Sequence, residues 1–224
     1  MFDWRWDFTW EIMPRLIWAT GNTLLAAGLG YAIAMVLGLV FALAQRTPYR
    51  PLTMAVREVV EFIRSTPLVL QIFFVFYVGP QFGIRLSPWT AGMIAIGLHY
   101  ASYLSEVYRG GLESVPKGQW EAATALNLST ARTYFRVVIP QALPPSLAGM
   151  GNYLVGIFKD TPMLSVIGVA ELMHTANALG SETYRFLEPY TMVGVIFLLI
   201  SLPTAAGIRA FEAWVHRALG MTAR

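Results

Sequence analysis

The chain has 224 residues, of which 56% are hydrophobic and only 13% are charged, with a net charge of +3 and no cysteine. This ratio is typical of a protein embedded in lipid and argues against a water-soluble domain. The absence of cysteine excludes disulfides and thiolate chemistry. The excess of positive charge follows from the bias of Lys and Arg toward the cytoplasmic side of a membrane, so it indicates no nucleic-acid partner.

Residues 1–15 mix acidic residues with tryptophan ahead of the first apolar run. Trp4, Trp6 and Trp10 favour a segment lying at the membrane–water boundary, where indole rings are enriched. The stretch lacks the basic start, short apolar core and small-residue cleavage site of a signal peptide. We therefore predict an interfacial segment, with a solvated tail carrying chance aromatics as the alternative.

Five apolar runs are candidate membrane spans, since a helix needs about 20 residues to cross the hydrocarbon core. They lie near residues 16–44, 59–79, 89–108, 143–169 and 190–212. Arginine and lysine gather after the first, third and fifth runs, which places those regions in the cytoplasm. The sequence predicts an all-α polytopic membrane protein, with its N-terminus outside and a cytoplasmic tail at 217–224.

The second run contains Thr66 followed by Pro67, a pair that predicts a helix start with Thr66 as its cap. Arg64 lies just before this start and is interpreted as an anchor at the cytoplasmic interface. Gln71 follows one turn inside the run, where an uncharged polar side chain is a candidate for the lining of a substrate pathway.

The third run carries polar residues at helical spacing. His99, Ser102, Tyr103 and Glu106 fall near one face of a helix, and we expect that face to point into the bundle. Glu106 also lies three residues before Arg109, so an ordinary ion pair is the alternative to a role in the pathway.

Residues 116–140 follow the third run and have the patterning of a soluble protein. Asn127 is predicted to adopt the left-handed conformation that ends a first helix, with Leu128 packing back on its last turn. Ser129 is predicted to cap a second helix, which Pro140 closes. A helix, a tight turn and a second helix would form a cytoplasmic docking element; an ordinary connecting loop is the alternative.

Glu121-Ala122-Ala123, followed by Asn127 and later by Ile139-Pro140, resembles the EAA motif of permease subunits in bacterial ATP-binding-cassette (ABC) importers. The stretches "FIRSTPLVLQIFF", "EVYRGGLESVPKGQWEAA" and "NYLVGIFKDTPMLSVIGVAEL" resemble the polar amino acid branch of that family, of histidine, glutamate and arginine type. The resemblance covers about residues 20–210 and implies the type I importer permease fold. It implies that the ATPase is coupled through Gln119, Glu121, Ala122, Ala123, Asn127, Leu128, Ile139 and Pro140.

The resemblance also implies partners in the bacterial cytoplasmic (inner) membrane. These are two copies of an ABC ATPase that bind ATP and magnesium, a second permease subunit, identical or sister, and an extracytoplasmic solute-binding protein. The chain lacks a G-x-x-x-x-G-K-[ST] phosphate loop, so we expect no cofactor in it and predict that it is not itself an enzyme. His99, His174 and His216 show no metal-ligand spacing, and no catalytic residue is predicted.

Two positions depart from the usual family pattern. Asn127 stands where the family generally has Gly, and Pro162 stands where amino acid permeases generally have Ser. Both departures are similar to the branch that imports ectoine and hydroxyectoine. The predicted substrate is therefore a polar, zwitterionic solute, either one of these compatible solutes or a polar amino acid.

The fourth run contains Lys159-Asp160-Thr161-Pro162, where a membrane helix rarely carries charge. Because Thr161 precedes a proline, we predict that it leaves the α region and caps a second helical piece, so that the span is broken at this point. Broken spans line cavities. Lys159 and Asp160 are adjacent and do not face each other on a helix. Either they meet the carboxylate and the cation of a substrate, or they anchor the broken segment.

The stretch before the fifth run carries Glu171, His174, Glu182, Arg185 and Glu188, which either contact a binding protein or belong to a solvated loop. Two other functions stay open at this point. An ion-coupled secondary transporter or channel would show inverted repeats with a broken helix in each half, and we find one predicted break. An intramembrane hydrolase would need a nucleophile, paired Asp or metal constellation inside the spans.

Overall fold

A computed structural model describes residues 3–218, and all regular structure in this part of the chain is helical. The α-helices are α1 (Trp6–Ala44), α2 (Arg50–Arg64), α3 (Leu68–Phe73), α4 (Pro88–Glu113), α5 (Lys117–Ala125), α6 (Thr130–Thr133), α7 (Ile139–Asp160), α8 (Leu172–Thr183) and α9 (Leu187–Ala218). π-Helical turns follow α3 at Phe74–Val78 and α6 at Tyr134–Val138, and 3₁₀ turns cover Gly79–Phe82 and Thr161–Ile167. The all-α prediction is confirmed for the described residues.

Helix α4 lies at the centre, packed between α1 and α7. Small residues of α1 recur every four positions, at Gly30, Ala34 and Gly38, and let the α1 and α4 backbones approach closely. A Cβ atom on Gly38 would lie 3.0 Å from the carbonyl oxygen of Ala101 in α4, so this contact has no room for a larger residue. Close packing through small residues is the usual way in which membrane helices associate.

The described residues contain fewer clear spans than the five predicted. By length and composition, α1 and α9 can each cross a membrane, and two bent helix pairs raise the number to four if each pair is one span. Helix α4 is 26 residues long but carries a polar face. The number of spans and their orientation stay predictions.

Helix α1 begins at Trp6, ten residues before the first predicted span, and runs through Pro14 without a break. Most of the predicted interfacial segment at 1–15 is therefore the first part of a helix of 39 residues. At 1.5 Å per residue this helix is about 58 Å long, more than the full thickness of a bilayer. Residues 1 and 2 and the predicted tail from residue 219 onward lie outside the described part.

The predicted second span, residues 59–79, contains a sharp bend near its start. Residues up to Arg64 belong to α2, whose axis is bent by 107° from the segment that begins at Leu68. Pro67 is the residue before α3, and the Thr66 hydroxyl donates to the carbonyls of Phe62 and Ile63 instead of capping it. Both residues therefore belong to the bend rather than to a capped helix start.

The predicted break at Lys159-Asp160-Thr161-Pro162 is also wrong. Thr161 keeps α-helical dihedral angles (φ −55°, ψ −33°), and the chain passes directly from α7 into the 3₁₀ turns. Pro162 has no N–H to donate to Phe158, four residues earlier. The Thr161 hydroxyl donates to that carbonyl at 2.8 Å instead, which removes the reason for a break. The chain bends by 48° further on, between Ile167 and Leu172.

The predicted outer loop is a packed helix. Glu171 is fully buried and caps α8, since its carboxylate accepts hydrogen bonds from the backbone N–H groups of Met173 and His174. Glu188 is 1% exposed and pairs with Arg185. The interpretation of this stretch as a solvated loop is wrong for both carboxylates. Residues 172, 176 and 179 of α8 form an apolar face that packs on α1, and Glu188 accepts hydrogen bonds from Arg185 and from the Arg5 N–H group.

Candidate functional site

A cavity of about 510 Å³ lies between α4 and α7. It contains three of the predicted pathway residues, His99, Tyr103 and Asp160. The complete lining is His99, Tyr100, Tyr103, Val107, Gly149, Asn152, Tyr153, Gly156 and Asp160. Its volume lies within the range of pockets that hold small molecules.

Asp160 supplies the only carboxylate among the cavity-lining residues. The hydroxyl group of Tyr100 donates a hydrogen bond to its Oδ2 atom at 2.7 Å. Gly156 makes this possible, since a Cβ atom there would lie 3.0 Å from the Tyr100 hydroxyl. No other hydrogen bond to this carboxylate is formed within the described residues. Asp160 is half-buried, so its second oxygen can accept from a ligand.

Aromatic rings form much of the cavity wall. The ring centroid of Tyr103 lies 5.2 Å from that of His99 and 5.3 Å from that of Tyr153, and the centroids of Tyr100 and Tyr153 are 6.1 Å apart. The faces of such rings attract cations, most strongly where water is excluded. A carboxylate beside three tyrosines is therefore suited to a small cationic group.

His99 connects the cavity to the bend between α2 and α3. Its Nδ1 atom lies 3.2 Å from the side-chain oxygen of Gln71. The amide nitrogen of Gln71 donates to the backbone carbonyl of Ile63 at 2.7 Å and to the hydroxyl of Thr66 at 2.8 Å. Gln71 thus holds the histidine and the bend together and does not itself line the cavity.

The other predicted pathway residues lie away from the cavity. Lys159 is exposed and forms no ion pair within the described part of the chain. It does not pair with Asp160, as predicted for two neighbouring residues on a helix, whose side chains point in different directions. Ser102 donates to the backbone carbonyl of His99 at 2.6 Å, and Thr161 is fully buried. Pro162 is the second residue of the 3₁₀ turns that follow α7.

Glu106 belongs to an ion network below the cavity. It pairs with Arg109, which also donates to Glu113 at 2.8 Å. The alternative explanation of Glu106, an ordinary ion pair, is therefore confirmed. Arg64 stands over the ring of Tyr103, with its guanidinium carbon 5.4 Å from the ring centroid. Tyr103 thus separates the cavity from this charged layer.

Among the cavity residues with polar side chains, three were missed by the sequence analysis, namely Tyr100, Asn152 and Tyr153. Tyr100 follows His99 directly and lies three residues before Tyr103, so helical spacing could have placed it on the same face. Asn152 is a polar residue within the apolar run "GMGNYLVGIF", and that contrast was a usable signal. Tyr153 carried no signal, because a tyrosine beside an apolar run is common at a membrane boundary.

The predicted coupling element has the expected turn. Asn127 adopts the left-handed conformation (φ 51°) after α5. Its N–H group donates to the Thr124 carbonyl at 2.9 Å, and that of Leu128 donates to the Ala123 carbonyl at 3.0 Å. These two bonds form the Schellman motif, which satisfies the last carbonyls of the helix. Ser129 caps α6, as predicted, through the N–H group of Arg132.

Pro140 does not close the second helix of this element, contrary to the prediction. Helix α6, the π-helical turn at Tyr134–Val138 and α7 form one continuous helical run. Pro140 is the second residue of α7 and lies two residues after the π-helical turn. The coupling element is therefore continuous with the helix that carries Asp160.

Helix α5 presents a small, polar surface. Glu121 and Ala122 are exposed, whereas Ala123 is buried against the rest of the chain. Gln119 accepts a hydrogen bond from Gln141 in α7 at 3.3 Å. Ile139 and Pro140 are exposed but lie on α7, so they support the element rather than form its tip.

At the opposite end of the molecule, Glu171 shows how a buried carboxyl group differs from one that faces a cavity. Burial raises the pKa of Glu171 to about 7, although its two backbone N–H partners oppose this shift. Its hydrogen-bonding capacity is used within the fold, so it holds α8 in place and is not available to a ligand.

Comparison with known proteins agrees with this geometry. The sequence profile described as "Binding-protein-dependent transport system inner membrane component" matches residues 15–217. The chain is 41% identical to a probable amino-acid ABC transporter permease protein of Sinorhizobium fredii, over 95% of both chains. It is 33% identical to the glutamine transport system permease protein GlnP of Escherichia coli, over 94% of this chain and 96% of that protein.

Solved structures show the same fold. The crystal structure of an amino acid ABC transporter with histidines superimposes with a TM-score of 0.88 at 30% identity, over 95% of this chain and 99% of that chain. The methionine transporter MetNI in an inward-facing conformation matches in fold alone, with a TM-score of 0.72 at 16% identity. The predicted type I importer permease fold is thereby confirmed. The chain belongs to the inner membrane components of binding-protein-dependent transport systems, in which it is a permease subunit of an ABC transporter and a transport component rather than an enzyme.

Proposed function

We propose that this permease imports a polar amino acid or a related zwitterion that carries a cationic group, with ectoine and hydroxyectoine among the candidates. The observation that carries the proposal is the carboxylate of Asp160, held by Tyr100 in a cavity walled by tyrosines. Relatives named as glutamine, cystine and arginine transport permeases support a substrate of this class.

The cavity offers complementary groups for both ends of such a solute. The cationic end would lie between Asp160 and the tyrosine rings, where charge and ring faces attract it. The carboxylate end would accept hydrogen bonds from neutral donors, for which Asn152 and His99 are placed on the facing helices. Lys159 does not line the cavity, so its contact with a substrate carboxylate stays a prediction that this proposal does not need.

We further propose that ATP hydrolysis in partner subunits reaches the cavity through α7. The exposed Glu121 and Ala122 on α5 would enter a groove of the ATPase, because small residues allow close approach. From Thr130 to Asp160 the helical run extends about 45 Å at 1.5 Å per residue. A displacement of the coupling element would therefore be transmitted to one wall of the cavity along this continuous helical run.

The proposed assembly contains two ATPase subunits that bind ATP and magnesium, a second permease, identical or sister, and an extracytoplasmic binding protein, in the bacterial cytoplasmic membrane. Family membership supports the ATPase and the binding protein as partners. The cavity between α4 and α7 is open on one side, which is consistent with a pathway completed by a second permease subunit.

The test uses the assembled transporter in proteoliposomes with its binding protein. ATPase stimulation is measured with ectoine, hydroxyectoine, glutamine, arginine and histidine, for the native chain and for Asp160→Asn. We expect one of these solutes to stimulate the native complex and the variant to need much more of it. Asp7→Asn, an exposed carboxylate with 69% of its side chain accessible, is the matched control and should behave as the native chain does.

Unchanged apparent affinity in Asp160→Asn would contradict the proposed contact. Transport that continues without the ATPase and stops when the ion gradient is dissipated would favour the secondary transporter or channel. For the coupling element, Ala122→Trp should abolish ATP-driven uptake, whereas full uptake by this variant would exclude docking through α5.

A further inference from the structure

A second cavity, of about 560 Å³, lies at the predicted cytoplasmic ends of the helices and has a nearly wholly apolar lining. We call it the apolar groove. Leu39 and Leu43 of α1 form one wall, Leu112 of α4 forms the floor, and Tyr134, Ile139 and Leu143 form the other wall. Leu39, Leu43 and Leu143 are each 40% to 45% exposed, so the groove opens at the side of the helix bundle.

The apolar groove is separate from the candidate substrate cavity. No residue lines both cavities. The substrate cavity carries Asp160, His99 and Asn152, whereas the polar groups in the groove are hydroxyls. One of them, on Ser146, donates to the Ala142 carbonyl at 2.9 Å and is thereby satisfied. The groove therefore suits a hydrocarbon chain better than a polar solute.

Where the apolar groove adjoins the coupling element, two arginines follow groove residues directly along the chain, and a third is linked to the groove through Trp120. Arg132 and Arg136 are exposed, lie one helical turn apart and directly follow the groove residues Ala131 and Phe135. Arg46 stacks on Trp120 at 5.5 Å, and Trp120 packs against the groove residue Tyr134 with ring centroids 5.4 Å apart. Within the described part of the chain, none of these three arginines pairs with a carboxylate.

We propose that the apolar groove binds an anionic phospholipid of the cytoplasmic leaflet. One acyl chain would lie between α1 and the helical run at 130–146, and the headgroup phosphate would meet Arg132, Arg136 and Arg46. An apolar slot with unpaired cations at one end is complementary to a molecule with a hydrocarbon chain and an anionic head. Basic pockets between membrane helices on the cytoplasmic side are known to hold such headgroups.

The bound lipid would support the coupling element. Ala131 and Tyr134 line the groove and belong to the second helix of that element, whereas Leu39 and Leu43 belong to the long first helix. A chain between them would fix the distance from the coupling element to the bundle. Anionic lipid would therefore raise the efficiency with which ATP hydrolysis drives transport.

The test is native mass spectrometry of the purified complex released from nanodiscs that contain phosphatidylglycerol and phosphatidylcholine. We expect retained phosphatidylglycerol, and we expect Arg132→Gln and Arg136→Gln to lower its occupancy by about fivefold each. Leu143→Trp, which fills the groove, should also remove it. Matched controls are Arg85→Gln, an exposed arginine on the other predicted side, and Val36→Trp, an exposed position of α1 outside the groove.

A second measurement uses the native sequence, so it does not depend on how variants fold. Phosphatidylglycerol with a photoreactive group at the end of one acyl chain should label Leu39, Leu43 or Leu143. Equal lipid retention in all variants, or labelling that avoids the groove, would overturn the proposal. A photoreactive residue at position 143 that crosslinks to a permease or ATPase subunit, and not to lipid, would show that a protein occupies the groove instead.

Discussion

Asp160 and Glu171 lie eleven residues apart on either side of the bend that follows α7, yet the fold uses their carboxyl groups in opposite ways. Asp160 is half-buried, takes one hydrogen bond from Tyr100 and faces a cavity. Glu171 is fully buried and takes two hydrogen bonds from the backbone of α8. A buried acidic residue is therefore a candidate for ligand binding only where part of its hydrogen-bonding capacity is left open.

The largest expected effect follows from removing the charge of Asp160. Asp160→Asn keeps an oxygen that accepts from Tyr100, so the fold should be unaffected, but a cationic substrate loses its partner. We expect about a 100-fold loss of apparent affinity, in line with the loss of one member of a buried charge pair. The measurement is substrate-stimulated ATPase activity, with the thermal midpoint in detergent as the control. A lowered midpoint with unchanged affinity would assign Asp160 the structural role of Glu171.

Glu171 should affect stability instead, in a manner that depends on pH. Its pKa in the folded protein is about 7, above the ordinary value of 4.5, so the folded state holds the proton more tightly. The resulting stabilisation is fully present below pH 4.5 and is lost as pH rises through 7, about 3 kcal/mol in total. Thermal midpoints should therefore fall between pH 5 and pH 7.

Glu171→Gln tests the origin of that pH dependence, because glutamine does not titrate in this range. The variant should lose part of the decline in midpoint with pH, while its apparent affinity for substrate stays that of the native protein. A decline as steep as that of the native protein would show that another group is responsible.

The comparison also explains what the sequence could predict. The polar face of α4 follows from the 3.6-residue period, and the turn at Asn127 follows from the few residue types that tolerate a left-handed conformation. These features depend on local rules. Asp160 was predicted as a pathway residue because placing an acidic side chain inside a membrane span costs free energy. The same rule does not apply to Glu171, which lies outside the apolar run in the sequence.

Two predictions were wrong, one because of a hydrogen bond within a single helical turn and one because of packing against a distant helix. The break predicted at Pro162 does not form, because the Thr161 hydroxyl takes over the hydrogen bond that proline cannot make. The charged residues of this stretch indicate a loop, whereas Leu172, Ala176 and Leu179 have the spacing of an apolar helix face and lie in α8. That face packs against α1. The Leu172 N–H group donates a hydrogen bond to the hydroxyl of Thr23 in α1, which lies 149 residues earlier in the chain.

The smallest expected effect concerns the single hydrogen bond that distinguishes Asp160 from a free carboxylate. Tyr100→Phe removes the hydroxyl but keeps the ring that forms the cavity wall. We expect apparent affinity for a cationic substrate to change by about tenfold, since a hydrogen bond to a charged group contributes about 1.5 kcal/mol at the lower end of its range. The direction of the change separates two roles. If Tyr100 only positions Asp160, affinity falls and is not restored by any change of substrate charge. If the Tyr100 hydroxyl instead competes with the substrate for the Asp160 carboxylate, affinity rises in the variant. That result would mean that the hydrogen bond from Tyr100 makes the carboxylate less available to a substrate in the native protein.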